Sequence, residues 1–230
     1  MSSPAESILD NPVWHALAGR HARFAEGDSL ARRYPVSVTP IAALGETSPA
    51  AYASLARVLQ PEGTAGLLFG QPPAPPPGWT LVHSVPVLQM LQTAPPPAVA
   101  GVAYAELSTV HGAEMLALVE LTQPGPFGPR TPELGDYIGV RRDGRLVAMA
   151  GERLKPDGHT EISAVCTHPE HRGRGYGQAL VAVLAQRIRA RGETPFLHVR
   201  PDNADAVHVY EKLGFRTRRT LSVGIVRWAN

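Results

Sequence analysis

Hydrophobic positions recur every three to four residues in some stretches of the chain and every second residue in others, and the two periods separate helices from strands. Residues 175–191 set Leu180, Val181, Leu184 and Ile188 on one face. They predict a helix, closed by Gly192 just past its end. Residues 204–213 predict another, closed by Gly214, and residues 111–121 a third, with Met115, Leu116, Leu118 and Val119 apolar. Residues 161–167 alternate, with Ile162, Ala164 and Cys166 against Glu161, Ser163, Val165 and Thr167, and predict a strand. Residues 136–141 and 145–153 read as strands joined by the turn Arg142-Asp143-Gly144. Residues 196–199, 215–219 and 221–227 complete the β pattern.

The first hundred residues show a mixed α/β pattern. Tyr52, Leu55, Ala56 and Leu59 have helical spacing behind Pro49, a good first-turn residue. Residues 64–69 and 79–91 lean to β, the second with Pro86 at an edge or bulge. Proline-rich stretches at 71–78 and 94–98 predict a stiff loop and a linker. The expected division is an N-terminal α/β domain over 1–97 and a second domain over 98–230. His15, His21 and His83 stand alone and read as core or surface residues.

Composition narrows the classes. Hydrophobic residues make up 43% of the 230, enough for a core, and the formal net charge is only +2. The segment 172–219 carries ten Lys or Arg against four Asp or Glu, which suits a polyanionic ligand. It lacks the interleaved aromatic residues of a single-strand nucleic-acid platform, so nucleic acid is not expected. A single cysteine, Cys166, precludes an internal disulfide framework. No leader pattern or membrane-length apolar run is visible, which predicts a soluble, cytoplasmic protein without a membrane partner.

The most informative string is Arg172-Gly173-Arg174-Gly175-Tyr176-Gly177, between a predicted strand and a predicted helix. Alternate glycines permit positive φ and let backbone N–H groups converge. The following helix adds its free N–H groups and positive dipole end. Such a turn binds phosphate or pyrophosphate, and Arg172 and Arg174 can add charge-assisted hydrogen bonds. Neither a Walker A loop nor a full dinucleotide fingerprint is present. His168-Pro169-Glu170-His171 is not HExxH, so no metal is expected.

The spacing R-x-x-G-x-G resembles the acyl-CoA pyrophosphate loop of the GNAT N-acetyltransferase superfamily. Residues 162–172 look like its fourth strand entering that loop. Val209-Tyr210-Glu211-Lys212-Leu213-Gly214-Phe215 is similar to its Y-E-K-x-G-F ending, with Asn203 ahead as in N-x-x-A-x-x-x-Y. The nearest likeness is the FR47-like branch, over about residues 107–226. The resemblance implies an α+β acyltransferase fold: a mixed, mostly antiparallel sheet with flanking helices, beside a smaller α/β N-terminal domain. That domain's pattern leaves open a decayed second copy of the fold.

The resemblance also implies acetyl transfer from acetyl-CoA to an amine of a small molecule or peptide in a ternary complex. The backbone of Val165, Cys166 and Thr167 would pair with the pantetheine arm, and a Val165 N–H would polarise the thioester carbonyl. The amides of Gly173, Arg174, Gly175, Tyr176 and Gly177 would hold the diphosphate, and Asn203 the pantetheine. Tyr210 would protonate the leaving thiolate, although it also fits a packed helix face with Ala206, Val209 and Leu213. Glu161 would be the general base; Glu152, Glu120 or a water chain are alternatives, as is a solvated strand-end carboxylate. Cys166 has the parity of a buried residue rather than a nucleophile. A non-catalytic acyl-CoA-sensing module is the competing reading, and a homodimer is compatible with either.

Overall fold

A computed structural model describes residues 7–59, 63–71, 74–96 and 101–229. The start of the chain, part of the proline loop and the core of the expected linker, at 1–6, 72–73 and 97–100, lie outside the described residues. The strands are β1 (Glu26–Gly27), β2 (Ala31–Arg33), β3 (Ile41–Leu44), β4 (Thr64–Phe69), β5 (Trp79–Gln92), β6 (Ala105–Leu107), β7 (Tyr137–Arg142), β8 (Arg145–Glu152), β9 (His159–Thr167), β10 (Thr194–Val199) and β11 (Phe215–Trp228). The helices are α1 (Pro12–Ala18), α2 (Pro49–Val58), α3 (Gly112–Thr122), α4 (Tyr176–Ala190) and α5 (Ala204–Lys212), with short 3-10 turns between. All eleven strands form one sheet in the order β1-β2-β3-β4-β11-β5-β10-β9-β8-β7-β6. Only β3–β4 and β9–β10 are parallel; the other neighbours are antiparallel. This is the mixed, mostly antiparallel α+β architecture expected from the sequence.

Two corrections concern the middle of the sheet. The stretches 215–219 and 221–227 are not two strands but one, β11, which absorbs a register shift between Thr217 and Arg219. The expected boundary near 94–100 does not divide the sheet either. The strand β5, which precedes it, lies between β10 and β11 and pairs with both. Pro86 sits in β5 opposite Ser222 of β11, beyond the last β10 pair at Leu88, so its missing N–H costs no ladder bond.

The connectivity repeats on the two sides of the β5–β11 pair. On one side β3, α2 and β4 form a parallel crossover, and β4 lies against β11. On the other, β9, α4 and β10 form a parallel crossover, and β10 lies against β5. The turn residues fit their places. Asp143 and Gly144 both have positive φ, as the tight β7–β8 hairpin requires. Gly214 has φ +83°, and a Cβ there would fall 2.4 Å from the Ala94 carbonyl oxygen, so the end of α5 and the exit of β5 can touch only at glycine.

Apolar side chains fill both faces of the sheet. Helices α4 and α5 cover one face, where Leu180, Leu184 and Ile188 pack against Ala148, Ile162, Leu197 and Phe215. On the opposite face α3 covers Tyr137, Met149 and Cys166, and α1 meets Leu91, Leu154 and Phe196. Buried His21 joins the first segment to the later one: it contacts the Tyr34 hydroxyl at 2.8 Å and the Leu134 carbonyl at 3.2 Å.

Candidate active site

The opening is built by β9 and β10. They pair through Thr194–His159, Pro195–Thr160 and Phe196–Glu161, and then part. Beyond that point β10 continues on β5, and β9 continues on β8. One edge of residues 163–167 is thereby left facing a gap in the sheet, the free strand edge that an amide-rich ligand can complete. Ala164 stands at the bend with φ +52°, beside a register shift between Met149 and Gly151 of β8. A left-handed alanine costs on the order of 1–3 kcal/mol, a strain found where a bulge re-aims backbone groups.

The glycine turn stands at the end of β9. Gly173 and Gly175 have φ +76° and +74°, and a Cβ at either position would meet nothing within 4 Å. Gly175 is the N-cap of α4, and no side chain caps the helix there. The first N–H groups of a fifteen-residue helix are therefore left without a side-chain cap. Gly177 brings the helix against the end of β9: its Cβ would lie 3.6 Å from Val165 Cγ1 and 3.8 Å from Thr167 Oγ1. Arg172 and Arg174 are exposed beside the turn. Tyr176 offers only its backbone: its ring is buried, with the Arg142 guanidinium 5.0 Å from its centroid and Arg142 Nε donating to its hydroxyl at 3.0 Å. An open amide cradle flanked by two guanidinium groups fits a diphosphate.

Tyr210 of α5 is buried against Phe215, ring centroids 6.2 Å apart, and its hydroxyl finds no hydrogen-bond partner among the described residues. Burial pushes its phenol up to about 12, so it keeps its proton at neutral pH. Cys166 is buried in the α3 core, and burial pushes its thiol up to about 11. That is the setting of an inert small hydrophobe. Asn203 caps α5, its Oδ1 accepting the Ala206 N–H at 3.2 Å, so that oxygen is committed to the helix.

Glu161 is not a solvated strand-end carboxylate: both its oxygens are engaged. It is fully buried, and Arg153 donates to both its oxygens at 2.8 and 2.7 Å. His198 Nδ1 lies 2.7 Å from its Oε1. Burial alone pushes the carboxyl up, but Arg153 and then His198 outweigh it and hold it well below the usual carboxylate range. Glu152 is also fully buried, against Lys155 and Arg191.

The residue that sequence reasoning missed is His198. It follows the last β9–β10 pair by two positions and stands where the strands part. Gln89 Nε2 donates to the Leu9 carbonyl at 2.8 Å, and Gln89 Oε1 accepts from Arg218 at 2.9 Å. The amide is thus oriented with its nitrogen 3.2 Å from His198 Nε2. His198 then donates from Nδ1 to Glu161 and holds a lone pair at Nε2. The signal in the sequence was alternation: Leu197 and Val199 join the α4–α5 core, which turns His198 to the other face. Among the described residues no group of three or more His, Cys, Asp or Glu is placed to hold a metal.

Comparison with known proteins agrees with this geometry. A GNAT-family protein of Novosphingobium aromaticivorans has the same fold over 96% of this chain and 99% of its own, with 39% identity and a TM-score of 0.89. The chain belongs to the GNAT family. Residues 137–223 match the family described as FR47-like protein, the GNAT branch expected from the motifs. Among curated GNAT relatives, a mycothiol acetyltransferase of Saccharomonospora viridis is 33% identical over 95 residues, 37% of this chain and 31% of that protein. The N-alpha-acetyltransferase RimI of Mycobacterium tuberculosis is 37% identical over 83 residues, 35% of this chain and 51% of that protein. The chain thus matches only a third to a half of the length of these two. No helix among the described residues is long and apolar enough to cross a membrane.

Proposed function

We propose that this GNAT protein transfers an acetyl group from acetyl-CoA to an amine of a small molecule or peptide by direct attack. One observation carries the reading: an uncapped, glycine-opened helix start lies at the end of a strand whose free edge faces a gap in the sheet. The names of the matched relatives, a mycothiol acetyltransferase and an N-alpha-acetyltransferase, support the chemistry.

Acetyl-CoA supplies the acetyl group as an activated thioester. The amides of residues 173–177, with Arg172 and Arg174, hold its diphosphate. The free edge of Val165, Cys166 and Thr167 binds the amide-rich arm, with a Val165 N–H polarising the thioester carbonyl. Asn203 contributes through its Nδ2, since its oxygen caps α5. Tyr210 holds at its hydroxyl the proton that a departing thiolate takes. His198 Nε2 accepts the amine proton once the amine displaces Gln89 from a long 3.2 Å contact. Glu161 acts through His198, fixing its tautomer and stabilising the imidazolium that forms.

The test is release of free CoA from acetyl-CoA across a panel of small and peptide amines. Tyr210→Phe should lower kcat by roughly a hundredfold and leave KM for acetyl-CoA nearly unchanged. His198→Gln should lower kcat similarly. The locked Glu161 carboxylate favours one competing reading, an acyl-CoA sensor. Tight CoA binding with no turnover on any amine would decide for the sensor.

A further inference from the structure

The side of the sheet that carries α2 holds a cavity of about 530 Å³, away from the glycine turn. Tyr52, Trp79 and Trp228 line it, together with Pro49, Pro76 and Pro77. It is open to solvent along one side. The walls are fixed by backbone bonds. The Trp79 N–H donates to the Pro76 carbonyl at 3.1 Å, Ala229 to Gly78 at 2.9 Å and Trp228 to Gly63 at 3.3 Å. The Tyr52 and Trp79 rings meet edge-on, centroids 5.2 Å apart.

Its place in the topology corresponds to that of the coenzyme cleft. α2 stands in the crossover from β3 to β4 as α4 stands in that from β9 to β10, and the proline loop before β5 occupies the position of α5 before β11. The chemistry differs. Ser48 caps α2, and Pro49 removes an N–H from its first turn. Beside the cavity β11 pairs continuously with β4 from Ser222 to Arg227. Nothing here cradles a diphosphate. The lining offers aromatic and proline surfaces and one charged group, Arg57, and no carboxylate among the described residues lines it. Arg57 is 63% exposed, and its Nη2 donates to Asp28 at 2.7 Å, which leaves further N–H groups for an anion at the rim.

We propose that this groove is a second ligand site, for a flat aromatic carboxylate: the ring system lies on the half-buried Trp79 and Trp228, over the buried Tyr52, and the carboxylate meets Arg57. Aromatic faces favour stacked or edge-on rings, and a guanidinium matches a carboxylate fork. The site is separate from acetyl transfer.

The chain has three tryptophans, so a spectrum of ¹⁵N-labelled indole groups reads the site directly. Trp14 is the internal control, since it lies under the Arg32 guanidinium at 4.6 Å and does not line the cavity. The probes are 2-naphthoate and its neutral analogue 2-naphthamide. Titration with 2-naphthoate should shift the Trp79 and Trp228 signals saturably and leave Trp14 in place. Arg57→Gln should weaken 2-naphthoate roughly tenfold and 2-naphthamide less than about twofold, as expected for one charge-assisted contact. Ala53→Phe, on the exposed surface of α2 at the lining, should abolish both responses with the fold retained. Saturating CoA should leave the 2-naphthoate affinity unchanged. Equal shifts at Trp14, saturation lost altogether, an unaffected Ala53→Phe variant or competition by CoA would each overturn the proposal.

Discussion

The two crossovers of this sheet share a connection and differ at one point, the start of the helix. In β3–α2–β4 the turn ends in Ser48-Pro49, and the Ser48 side chain accepts the Ala51 N–H at 3.3 Å. In β9–α4–β10 the turn ends in Gly175, and no side chain caps the helix. The first arrangement satisfies its own backbone, and the second leaves its amides free for a ligand. The strands before the helices part from their partners early in both crossovers, β3 from β4 after two pairs and β9 from β10 after three, so the bend, not the parting, separates them. β3 is a short four-residue strand, whereas β9 runs on for nine residues and is bent at Ala164. Ligand binding in such a sheet thus depends less on the connection than on whether local capping is withheld.

The sharpest way to break that difference is to fill the open turn. Gly175→Asp puts a carboxylate where a diphosphate is expected, and titration calorimetry should show CoA affinity falling by more than about a hundredfold, through charge repulsion and a lost cradle. Retention of CoA affinity would remove the glycine turn from the site. A second test concerns the joint between the N-terminal segment and the rest. Burial pushes the His21 imidazole down to about 4, whereas its unfolded value is near 6.5. The unfolded chain therefore takes up a proton that the folded one refuses. The His21 contribution to stability should fall by about 3 kcal/mol as pH drops from 6.5 to 4. In denaturant titrations across that window, His21→Phe should lose most of this slope. The smallest effect belongs to the capped helix. Ser48→Ala should cost about 1 kcal/mol in denaturant unfolding and leave CoA affinity unchanged.

The C-terminal half was the more legible because its signals are local. The alternation of residues 161–167, the glycine turn and the periodic stretch of α4 sit within thirty consecutive positions, and each reports a short-range constraint. Asn203 was only half legible for the same reason: N-caps and ligand contacts draw on one side-chain chemistry, and the 3.2 Å bond to Ala206 is visible only in the fold. The engagement of Glu161 was illegible because its partners are distant in sequence. Arg153 lies across a turn, and His198 lies beyond a helix and a strand pairing, so no local pattern betrays the burial. The position of β5 was illegible altogether. Its alternation predicts a strand, and nothing within it says that its partners lie more than a hundred residues later.

That placement governs how the polypeptide can be made. During synthesis β5 emerges early and must remain unpaired until β10 and β11 follow it from the ribosome, so these long-range pairings close late. A fragment of residues 98–230 would lack the strand between β10 and β11, exposing two sticky borders. Expressed alone it should aggregate, and supplying residues 1–97 as a separate peptide should restore solubility by complementation.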